Sequence, residues 1–308
     1  MRILDVTFMN DLVNGRLIEL LNYIKYDHTL DFQIRNNEVH VYYRGGKVLG
    51  VTIQNGLYKF SFDFNYFNHG CPRTVLKEVL EDCLSKMNWI SYFPLSKQVM
   101  DFYFSKSAKE EREFQQLIVR ENNYSSVANS SDYFVVDIEY DNKDGARFDI
   151  IAVEWPSVSS NRKLQKNFKP KLVVIEMKYG DRAISGSSGM KKHCNDFNNF
   201  FSNPNVKANF KLEMTELFKQ KRKLGLIPCL SNTVNNNEVD RFDDEIELIF
   251  LISNHDPASS KLNTELTSLA NENAKFVTSN FMGYHLYNQN IYNLSEFLSQ
   301  FNNQIYEL

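Results

Sequence analysis

The chain has 308 residues, 43% of them hydrophobic and 24% charged, with a formal net charge of −3. That length suffices for one large domain or two modest ones with a sizeable core. The near-neutral charge excludes a protein that is basic overall, so any nucleic-acid surface must be a local patch. Cys71, Cys83, Cys194 and Cys229 form no C-x-x-C pair and stand beside no histidine cluster, which argues against a zinc module and gives a disulfide framework no support. Charges interrupt every apolar run of the opening MRILDVTFMNDLVNGRL, so no secretory signal is expected there, and no stretch has the length of a membrane span. The expectation is a reduced, soluble, cytoplasmic protein with no membrane partner.

In chain order, Leu17, Leu20, Leu21 and Ile24 recur at helical spacing and predict a helix. Four short strands are expected next, at 30–34, 39–43, 48–53 and 57–64, separated by Asn36-Asn37, Gly45-Gly46 and Asn55-Gly56, residues that tolerate positive φ in two-residue hairpin turns. This is an antiparallel meander. Helical periodicity follows. Val75, Val79, Leu80, Cys83 and Leu84 form a stripe with Pro72 suited to a first turn, a second helix is expected from near Pro94, and a third over 107–122 with Ser107 and Glu110 as a capping box.

The pattern then returns to strands. YFVVDIEY (133–140), RFDIIAVEW (147–155) and LVVIEMK (172–178) are rich in β-branched and aromatic residues, with a hairpin turn at 142–145 and a polar, basic loop over 156–171. A Gly/Ser-rich stretch at 180–189 leads into a helix carrying Cys194, Phe197, Phe200 and Phe201. A longer helix uses Phe210, Met214, Leu217 and Phe218, and an Asn-rich loop follows over 231–240. A buried strand is expected at 246–252, a helix around Leu262, Leu266 and Leu269, and a last strand at 282–287. The expected division is 1–104 for the helix, meander and helical segment, and 105–308 for the remainder.

The chemistry concentrates on two of these strands. Alternate strand residues share a face, so Glu176 and Lys178 project together at the end of the apolar run 172–175, while Met177 points the other way. Asp149 lies between Phe148 and Ile150, where an acid is costly unless something binds it. If the two strands are neighbours, Asp149 and Glu176 converge and leave room for a hard cation between their oxygens.

An acid on one strand, followed by a hydrophobic strand ending in Glu-x-Lys, resembles the catalytic core of the PD-(D/E)XK nuclease superfamily. The resemblance spans roughly 107–252, as a motif and an order of elements, and the interval from Asp149 to Glu176 is longer than is usual in that family. It implies an α/β (α+β) fold with a restriction-endonuclease-like core, a central mixed sheet flanked by helices, to which the N-terminal meander and helices are added. It implies Mg²⁺ or Mn²⁺ held by Asp149, Glu176, the Met177 carbonyl and Glu113, the acid of EREFQQLIV on the helix before the first strand. It also implies that Lys178 orients or activates the attacking water or stabilises charge developing on phosphorus. The implied activity is hydrolysis of nucleic-acid phosphodiesters, DNA first, and a homo-oligomer is compatible with it.

For substrate, Lys163, Lys166 and Lys169 of the basic loop suit a phosphate backbone. Lys192 and His193, just after the Gly/Ser loop, suit a polar position near the metal. Basic residues at 219–223 are expected to end a helix and complement its dipole. Two other readings stand beside the nuclease: an inactive module of the same fold used for binding or scaffolding, and a hydrolase of small phosphate compounds using the same metal.

Overall fold

The computed structural model describes residues 1–69, 75–141, 147–163, 168–181, 184–186, 189–231, 239, 242–256, 259–279 and 283–306. Tight turns set the register of its first sheet. Asn36 and Asn37, Arg44 and Gly45, and Asn55 and Gly56 all have positive φ, the conformation that joins right-twisted strands with two residues. The middle turn is therefore one residue earlier than expected, because Tyr43 pairs with Gly46. These turns link β1 (Leu30–Arg35), β2 (Glu38–Tyr43), β3 (Gly46–Gln54) and β4 (Leu57–Ser61) into an antiparallel sheet in the order β1-β2-β3-β4.

Two helices precede that sheet, α1 (Val6–Asn14) and α2 (Ile18–Tyr26). The spacing analysis anticipated only the second. The first is capped by Asp5, whose side chain accepts the Phe8 N–H at 2.7 Å. After the sheet come α3 (Lys77–Ser85), α4 (Trp89–Phe104) and α5 (Glu110–Val119). Pro72 lies outside the described residues. Helix α4 starts before Pro94, with the Asn88 side chain accepting the Ser91 N–H at 3.2 Å. The Ser107–Glu110 capping box is not formed, since α5 begins at Glu110 with no side-chain cap.

Next come β5 (Tyr133–Asp141), β6 (Arg147–Glu154), the short α6 (Ser159–Arg162), β7 (Lys171–Tyr179), α7 (Met190–Phe201), α8 (Pro204–Lys223) and α9 (Pro228–Ser231). The chain continues through β8 (Ile246–Ser253), α10 (Ser260–Thr267), β9 (Ala274–Ser279), β10 (Tyr292–Asn293) and α11 (Leu294–Tyr306). A six-stranded sheet results, ordered β10-β9-β8-β7-β6-β5. Strands β5, β6 and β7 are mutually antiparallel, β7, β8 and β9 are parallel, and β10 is antiparallel to β9. Strand β7 sits inside this sheet and is buried from Leu172 to Lys178, as a near-continuous apolar run requires when both faces are covered. The strand expected at 282–287 is corrected to β9, eight residues earlier at its start. Its period-2 signal is short, and polar residues precede it.

The chain thus has a mixed α/β architecture. It divides into a first unit, Met1–Arg120 with Glu216–Pro228, and a second, Glu121–Thr215 with Cys229–Leu308. The end of α8 belongs to the first unit. Among the described residues, no helix is long and apolar enough to cross a membrane.

Strand β5 is the edge of the six-stranded sheet, and its register with β6 shifts between Val135 and Asp137. There the Asn123 side chain replaces a strand partner. Its Nδ2 donates to the Val135 carbonyl and its Oδ1 accepts the Val135 N–H, both at 2.9 Å. Asn123→Ala would leave both buried backbone groups without that partner. The expected loss of stability is about 2–4 kcal/mol in urea unfolding, and a loss below about 0.5 kcal/mol would refute this account of the edge.

Candidate active site

The paired ladder of β6 and β7 ends at Ile150 opposite Ile175. One step further, the same register sets Asp149 across from Glu176, and cross-strand neighbours share a face. Backbone pairing has stopped there, and a side chain takes its place: Asp149 Oδ2 accepts the Met177 N–H at 2.8 Å. The Asp149 and Glu176 carboxyl groups are close enough to hydrogen-bond one another. Alternation along β7 puts Lys178 on the same face.

These charges are deep. Glu176 is 1% exposed and Lys178 4%. Helix α7 supplies the group facing Glu176: His193 Nδ1 stands 3.1 Å from Glu176 Oε2, placed to donate. Lys192, one residue earlier, lies on the exposed side and pairs with Asp196 at 2.5 Å. Among the described residues, the Lys178 ammonium makes no hydrogen bond or ion pair, although it is near enough to act electrostatically on Asp149. Burial is the largest influence on Asp149 and pushes its carboxyl above its ordinary value. The Lys178 charge and the Met177 N–H pull the other way, and the charge of Glu139 adds to the rise.

Among the described residues, no three His, Cys, Asp or Glu side chains form a metal-holding group. Asp149 and Glu176 are the acidic pair that the sheet itself assembles. Two adjacent carboxyl groups are the kind of oxygen donors that a hard cation such as Mg²⁺, which keeps several waters and takes one or two carboxylates, would use once both are ionised.

The remaining sequence candidates are Glu113, Lys163, Lys166 and Lys169. Glu113 belongs to the first unit, where Arg44 holds its carboxylate (Nε to Oε1, 2.9 Å) and also binds Asp101 at 2.9 Å. Lys169 is exposed and lies just before β7, and Lys163 follows α6 beyond the end of β6. Both are at the end of these strands opposite to the acids, since the stretch of β7 from Lys171 to Lys178 spans about 23 Å at the usual rise. Lys163 and Lys169 are therefore not beside the carboxylates, because β7 runs away from them towards Lys178. Lys166 lies outside the described residues.

Sequence reasoning passed over Glu139. The pairs Ile138↔Ile150 and Tyr140↔Phe148 leave Glu139 facing Asp149 across β5 and β6. The alternating acids of VVDIEY, Asp137 and Glu139, carried that signal. Comparison with known protein families, characterised proteins and solved structures returns no match to this chain.

The upward shift of Asp149 fixes the sign of its effect on stability. A folded-state value above the unfolded one favours folding fully only at pH below the unfolded value. That contribution is lost as pH rises through the folded value. Asp149→Asn removes the ionisation. In metal-free urea unfolding it should be more stable than wild type at pH 7, and the advantage should shrink towards pH 4. A gain independent of pH, or a loss at pH 7, would contradict the burial of this charge.

Proposed function

We propose that the second unit is a metal-dependent phosphodiesterase of the PD-(D/E)XK type acting on nucleic acid, DNA first. The strand order supports this reading: β5 to β9 lie side by side in chain order, three antiparallel strands followed by parallel ones. The acid is on the second strand and Glu-x-Lys ends the third, in the order expected of a restriction-endonuclease-like core. The observation that carries the proposal is Lys178, a residue 4% exposed beside two carboxyl groups, whose ammonium makes no ion pair or hydrogen bond among the described residues. An ammonium held there without such a partner is placed to meet an incoming anion.

Each residue then has a task. The Met177 N–H fixes the direction of Asp149, and His193 fixes that of Glu176. Asp149, Glu176 and the Met177 carbonyl would hold Mg²⁺ or Mn²⁺, which polarises a phosphate and makes a bound water more acidic. Lys178 stabilises negative charge as it develops on the phosphoryl oxygens. It does so because the ammonium is in place before the reaction begins.

The test is Lys178→Met, which keeps the buried volume and removes the charge. With Mg²⁺, turnover of DNA should fall by about 10²–10³-fold, while DNA affinity and its salt dependence stay nearly unchanged, since a transition-state contact adds little to ground-state binding. Parallel assays on RNA and on a small phosphodiester identify the substrate class. If affinity falls and turnover is spared, Lys178 is a phosphate-binding residue. If wild type cleaves none of the three substrates, the binding-module reading replaces this one.

A further inference from the structure

We draw no further inference here: the strongest candidate, the largely apolar groove between the edge strand β4 and helix α3, lined among others by Tyr58, Phe60, Phe62, Leu84 and Met87, carries nothing, because nothing in the structure shows what covers it.

Discussion

The hydrogen bond from the Met177 N–H to the Asp149 carboxylate marks the place where the six-stranded sheet stops being only a scaffold. Up to Ile150 and Ile175 the two strands satisfy one another through their backbones. Beyond that pair a side chain accepts what a carbonyl would have accepted. An acid is thereby held at the edge of the ladder, facing a second acid and within reach of a buried ammonium. The residues behind it, from Leu172 to Ile175 on β7 and from Ile150 to Val153 on β6, are fully buried and apolar. That rigid backing lets three charges stay close together, because none can move away without disturbing tightly packed neighbours.

The strands were legible because their chemistry is local. β-Branched and aromatic runs bounded by turn residues gave β1 to β8 closely, and the Glu-x-Lys at the end of an apolar run marked the site. What the sequence concealed depends on direction and partner. The basic loop is near Glu176 in number but lies at the start of β7, whereas Glu176 and Lys178 lie towards its end. Glu113 has the spacing of a site acid, yet it answers to Arg44 from the β2–β3 turn, a residue 69 positions away.

Helix α8 shows the same limit from the other side. The sequence predicts that its basic end complements the helix dipole. Lys221 is instead 1% exposed and donates to Gln33 Oε1 at 2.8 Å, while Gln33 donates to both carboxylate oxygens of Asp31. The apolar stripe Phe210, Met214, Leu217 and Phe218 continues to position 221 at helical spacing, so the position is interior whatever residue fills it. Charge outweighed periodicity in reading the sequence. In the folded protein periodicity decides burial, and the charge is accommodated by a buried amide that relays it to an acid.

Two ways of handling buried charge therefore coexist in this chain. In the first unit, the buried Lys221 reaches Asp31 through Gln33, and the partly exposed Arg44 pairs with Asp101 and Glu113. Each of these two cations has an oxygen within hydrogen-bonding distance. In the second unit, Lys178 is 4% exposed and makes no such contact among the described residues, although two acids stand nearby. The same chain that completes one buried charge network leaves another short of a partner, at the point where strand pairing gives way to side chains. The completed networks hold their elements together, and that explanation is sufficient for them. It does not extend to Lys178, which makes no such bond among the described residues. An ammonium held beside two acids without a bond to either is placed to meet a second, transient anion. This is why the functional reading rests on Lys178 more than on the acids around it.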